Sequence, residues 1–170
     1  MRKLQILKAL LDLFCFFSVL AFLLMLVFIP LMFFNDEILK DIPIKINGEK
    51  LLIVDFTTKI ILTFEIFAFG IFAFGIYKLR MVLSLFQKRI IFEFENIQLL
   101  NQVGICFLAT SFLSGIPMIV YQMHHRNINI EFGGSFNSFL FSASLGLFFM
   151  VLSEVFKIAK IAKEENELTI

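Results

Sequence analysis

LFCFFSVLAFLLMLVFIPLMFF, residues 13–34, contains no charged side chain. As a helix rising ~1.5 Å per residue it is long enough to cross the ~30 Å hydrocarbon core of a bilayer. Three more stretches read the same way: residues 60–77, 103–123 and 136–156. The second is the shortest, and it contains Glu65. Its eleven Leu, Ile and Phe residues favour insertion by about −0.3 to −0.6 kcal/mol each, against about +2.5 to +3.5 for a central acid. Insertion wins. Arg2, Lys3 and Lys8 give the first run the look of a cleavable signal. Its length, and the lack of a small-residue cleavage site in FIPLMFFNDE, make a retained anchor the expectation.

Composition points the same way. Hydrophobic residues make up 59% of the 170, 25 are Phe, and only 17% are charged, which is too apolar and too poorly charged for an ordinary soluble domain. A net charge of +1 provides no global field for nucleic acid, and no direct binding to it is expected. Cys15 and Cys106 sit apart within apolar runs and read as small hydrophobes, not as a disulfide or a zinc pair. Adjacent His124 and His125 cannot share one helix side and have no third ligand, so no metal or cofactor is expected.

The expected fold is a single all-α integral membrane domain over residues 1–170: a four-transmembrane-helix bundle with a small extracytoplasmic β-hairpin between helices 1 and 2. With both termini on one side, ten Lys and Arg residues lie there and five on the other. That asymmetry predicts a multi-pass protein of the cell (inner) membrane with both termini cytoplasmic. The hairpin is read over about 42–54. Ile42, Ile44 and Ile46 alternate with Pro43 and Lys45, Asn47-Gly48 suits a tight turn, and EKLLIVDF returns as a second strand. The inner connector, about 78–102, opens with basic residues interleaved with apolar ones and suits the headgroup boundary. Lys88 to Phe92 is its elbow, and the third helix is expected to begin before it reaches the lipid.

Lipid tails give helices no hydrophobic reason to associate, so small and polar residues mark the expected contacts. Gly104, Ser111 and Gly115 on the third span face Ser138, Ser142 and Gly146 on the fourth, with Ser153 on the same side. The other reading is that these serines line a polar pathway. FAFGIFAFGI, residues 67–76, repeats every five residues, which turns a helix about 140° past one full turn. The repeat therefore wraps around the second helix. Pro117 is expected to free a carbonyl that Ser114 satisfies.

Two intramembrane acids stand out. Glu65 lies about 7 to 8 Å inside its span. It reads either as a group hydrogen-bonded to a neighbouring helix or as a proton-coupling or substrate contact. Glu154, one turn before Lys157, reads as a local ion pair near the inner boundary.

Two further stretches carry a resemblance. SEVFKIAKIAKEENELTI supplies Glu154, Phe156, Glu164, Glu165, Asn166, Leu168, Thr169 and Ile170, and IIFEFENIQLLNQVG supplies Phe92, Glu95, Asn96, Ile97 and Gly104. Together they resemble a bacterial four-span membrane protein family of unknown function, domain-of-unknown-function family 2975. This chain departs from the family at QLLNQ, where basic residues are usual, and at Ala159, where Gly is. The resemblance implies no established activity. Members are said to accompany small helix-turn-helix regulators, which implies a membrane-tethered regulatory role. Carboxylates and amides at Glu95, Asn96, Glu164, Glu165 and Asn166 suit helix capping or the Arg and Lys of a partner. Acids at a helix C-terminus oppose its dipole. The tail is therefore expected to dock on Lys88 and Arg89 or on another protein.

The leading expectation is a non-enzymatic membrane regulator or accessory protein. Its docking surface comprises Phe92, Glu95, Asn96, Glu164, Glu165, Asn166, Leu168 and Thr169. Its partners would be the lipid bilayer and a cytoplasmic regulatory protein or a homo-oligomer. The alternative is a small transporter or proton-coupled permease using Glu65, which would want a discontinuous helix and internal repetition. No nucleophile has a base at plausible spacing, so no catalytic residue is assigned and no enzyme is expected.

Overall fold

Each predicted span is part of a longer helix. The computed structural model describes residues 2–34, 45–46, 49–50, 56–124 and 135–167. Its helices are α1 (Arg2–Phe34), α2 (Phe56–Gln87), α3 (Phe94–His124) and α4 (Ser135–Glu167), of 33, 32, 31 and 33 residues. All four are long and apolar enough to cross a membrane. The chain is a multi-pass membrane protein.

Helices of this size reach about 47 to 50 Å, well beyond a ~30 Å hydrocarbon core. Lys59, set against the Phe33 ring, and Lys78, set against the Phe74 ring, bracket the stretch of α2 that holds no other Lys or Arg. The rise between them is about 28 Å, close to the core thickness. Past Lys78 the helix runs on to Gln87, and the partner helices extend alongside it. The fold therefore has a membrane section and a helical stem on the side of the 88–93 elbow.

Backbone packing follows chain order: α1 on α2, α2 on α3, α3 on α4. Cross-helix pairs fix an up-down-up-down course. Arg80 meets Asp12 and Lys8 meets Gln87 between α1 and α2. Between α2 and α3, Thr110 meets Ala68 and Ser114 meets Glu65. Ser142 reaches Phe107 and Ser153 reaches Ile97 between α3 and α4. The central helices α2 and α3 are the more buried pair, while α1 and α4 show most of their apolar side chains outward. Outward apolar residues are ordinary where the solvent is lipid.

Two buried clusters hold the layers. Within the membrane section, Cys15, Ile76, Val103 and Phe107 cluster with Phe72 and Phe149 packed against them. Nearer the elbow, Val82, Leu85, Leu99 and Leu100 are covered by Phe86, Phe149 and Phe156. The five-residue repeat on α2 serves both of that helix's neighbours. A Cβ on Gly70 would come within 2.6 Å of the Phe22 ring on α1, and one on Gly75 within 3.0 Å of Cys106 on α3. The rotation of about 140° from one glycine to the other matches a helix sandwiched between two others.

The expected β-hairpin is corrected: among the described residues the fold is built of helices, and the loop contributes no strand pair long enough to stand as an element of it. Of that loop only Lys45–Ile46 and Glu49–Lys50 are described, as a two-residue antiparallel contact that packs on none of the described helices. The rest of 42–54 lies outside the described residues. Phe56, read as the end of the second strand, is the first residue of α2. An isolated hairpin is marginal in water without a surface to pack on.

Candidate functional site

The stem end of the molecule brings the two singled-out stretches together. α2 stops because Arg89 takes a left-handed conformation, φ 62°. The Arg89 N–H donates to the Phe86 carbonyl at 3.1 Å and the Ile90 N–H to Leu85 at 3.0 Å. This is the Schellman pattern, with Arg where glycine is usual. The chain then turns through Ile91, Phe92 and Glu93 before α3 begins at Phe94.

At the start of α3 the Asn96 side chain is fully buried. Its Nδ2 donates to the Ile91 carbonyl at 2.7 Å, closing the elbow onto the helix, and its Oδ1 is buried without a partner. Asn96 therefore shapes the elbow and offers nothing to a partner's surface. At the next residue, Ser153 of α4 donates to the Ile97 carbonyl at 2.8 Å. Phe92 packs edge-on against Phe156, and Phe86 lies against the same ring. Lys160 sits 5.9 Å from the Phe94 ring.

α4 continues as helix to Glu167 instead of folding back onto Lys88 and Arg89. Its charges pair along its own surface: Lys157 with Glu154 at 3.9 Å, Lys160 with Glu164 at 3.6 Å and Lys163 with Glu167 at 3.7 Å. Asn166 donates to the Ala162 carbonyl at 2.9 Å. Such exposed pairs contribute only a few tenths of a kcal/mol each, about 0.3 to 0.5. Glu95 and Glu165 are exposed, and Leu168 and Thr169 lie outside the described residues. Lys88, Arg89, Ile90, Ile91, Phe92 and Phe94 are all exposed at the tip. Phe94 shows 61% of its surface.

In the membrane section, Ser114 donates to Glu65 at 2.9 Å, tying α3 to α2. The hydroxyl expected to serve the carbonyl freed by Pro117 is thus committed to Glu65, whose hydrogen-bond partner on a neighbouring helix the sequence did not name. Thr110 adds a second link, to the Ala68 carbonyl at 3.4 Å. Between α3 and α4, Gly104 and Gly146 cross backbone to backbone, Ser142 donates to Phe107, Ser111 bonds to its own helix, and Gly115 lies under the Phe139 ring. The side chains of Ser138 and His124, and all of His125, lie outside the described residues. Among the described residues no group of three metal-ligating side chains comes together.

Residues 11–170 match the sequence model of a family described as "Protein of unknown function (DUF2975)". The chain belongs to that family. No curated protein and no solved structure matches it.

Proposed function

We propose, with membership of that four-span family as the premise, that the protein is a non-enzymatic membrane regulator or accessory protein. It sits in the cell membrane with both termini and the stem in the cytoplasm, where the stem tip receives a protein partner. The orientation rests on the ten-to-five asymmetry of Lys and Arg. The observation that carries the docking role is the exposed apolar tip, Ile90, Ile91, Phe92 and Phe94, flanked by Lys88 and Arg89. These residues lie more than a helical turn past the level of Lys78, where lipid no longer accounts for exposed Phe and Ile. A partner of matching chemistry presents apolar side chains ringed by carboxylates. The tail of α4 borders the same tip through Phe156 and Lys160.

Affinity capture from cells tests this with two variants. Removing residues 164–170, and separately replacing Ile91 and Phe92 by Ser, should each abolish a captured partner while membrane insertion is unchanged. Identical partners with all three proteins would remove the proposal. The permease reading has one observation behind it, an acid within the membrane section. The Ser114 bond favours a packing role for that acid.

A further inference from the structure

A shallow groove of about 250 Å³ opens between α2 and α3 at the level where the stem meets the membrane section, lined by Phe74, Lys78, Gln102, Ile105 and Cys106. We infer that this groove is a binding site for an anionic phospholipid, with the phosphate on Lys78 and Gln102 and an acyl chain along Phe74 and Ile105.

Charge, depth and shape carry the inference. Arg80, two residues further along α2, is matched by Asp12. Lys78 has no carboxylate among the described residues, and its recorded partner is the Phe74 ring, 5.1 Å away. The ring fixes the ammonium at the groove's edge but leaves its positive charge uncancelled. Depth follows from the ~28 Å rise from Lys59, close to the hydrocarbon thickness, which lets the Lys78 ammonium reach into the flanking headgroup layer, where lipid phosphates lie. Gln102, across the groove on α3, is exposed and brings an amide donor to the same level. Phe74 and Ile105 are half exposed and lead from that polar pair toward the membrane interior. A free phosphate would use only the polar end, whereas a phospholipid uses both. Basic pockets between membrane helices are a recurrent way of holding anionic headgroups.

The full chain, purified in neutral detergent, is incubated with phosphatidylglycerol, with phosphatidylcholine or with glycerol 3-phosphate, and bound lipid is counted by native mass spectrometry. Saturable phosphatidylglycerol adducts are expected, with few from phosphatidylcholine and no displacement by glycerol 3-phosphate. Lys78→Gln should weaken binding about fivefold, equivalent to the ~1 kcal/mol of one near-surface cation. Lys78→Arg should retain it, and Lys163→Gln, on the tail, should not change it. Equal retention of the two lipids, undiminished adducts in Lys78→Gln, or displacement by glycerol 3-phosphate would each overturn the assignment. If Lys78→Gln does not fold, Gln102→Leu and Ile105→Ser supply the same comparison from the two ends of the groove. Neither lowering the adducts would also overturn it. The inference does not rest on the docking role of the stem tip.

Discussion

Gly104 and Gly146 exclude side chains from each other's helix. A Cβ on Gly104 would stand 2.7 Å from the Gly146 carbonyl oxygen, and one on Gly146 would stand 2.8 Å from the Gly104 carbonyl oxygen. Close backbone approach of this kind replaces the hydrophobic force that helices lack in lipid. Gly104→Ala and Gly146→Ala should each lower the melting temperature in detergent, by the equivalent of about 1 to 3 kcal/mol of overpacking. The double variant should cost less than the two together, because either methyl already forces the helices apart. Unchanged melting of both single variants would mean that the crossing does not exist in the membrane.

The Ser114–Glu65 bond links α3 to α2 within the membrane section. Ser114→Ala should cost about 0.6 kcal/mol, the average for interhelical hydrogen bonds in membranes. Glu65→Gln keeps an acceptor oxygen for Ser114 and should cost less. Ion and solute flux in vesicles should be the same for Glu65→Gln and the parent protein. A changed flux would revive the permease reading.

Arg89 separates the stability of the elbow from its charge. A non-glycine residue in the left-handed region costs roughly 1 kcal/mol, and a β-branched one more. Arg89→Gly should fold at least as stably as the parent, and Arg89→Val should melt earlier. Partner capture should fall in both, since both lose the cation. If capture followed melting temperature across the two variants, Arg89 would matter only as a turn residue.

Asn96 is a buried polar group with one bond made and one acceptor unpartnered. Asn96→Ala strands the Ile91 carbonyl and should cost about 1 to 3 kcal/mol. Asn96→Asp also removes the donor and puts a carboxylate in the same place, so it should be the more destabilising at neutral pH. Proteolysis at the elbow in the solubilised protein gives the readout, with cleavage rising in the order parent, Ala, Asp.

Much of the fold is legible in the sequence because hydropathy is a strong signal when it is sustained across a whole span. Residues 13–34 and the second, third and fourth runs all lie within the helices. The helix ends are not legible that way. Past Lys78 the chain leaves the lipid and hydropathy falls, yet the helices continue on tertiary contacts such as Val82 with Leu99 and Leu100, and on local pairs such as Lys160 with Glu164. The loop carries a strand's alternation at Ile42, Ile44 and Ile46, but of it only Lys45–Ile46 and Glu49–Lys50 are described, paired over two residues. Spacing could mark Gly104 and Gly146, because a helix face follows from arithmetic. It could not say that Asn96 points inward or that Ser114 chooses Glu65, since both depend on how neighbouring helices are rotated.

The paired glycines at positions 70 and 75 make α2 a gauge of rotational phase. Removing one residue between them would swing Gly75 by about 100° relative to Gly70, so that only one of the two seams would still find a gap opposite its neighbour. A point substitution at either glycine injures one seam. A single-residue deletion would injure one seam too, and would also rotate the stem part of α2 relative to the other helices, carrying Arg80 away from Asp12.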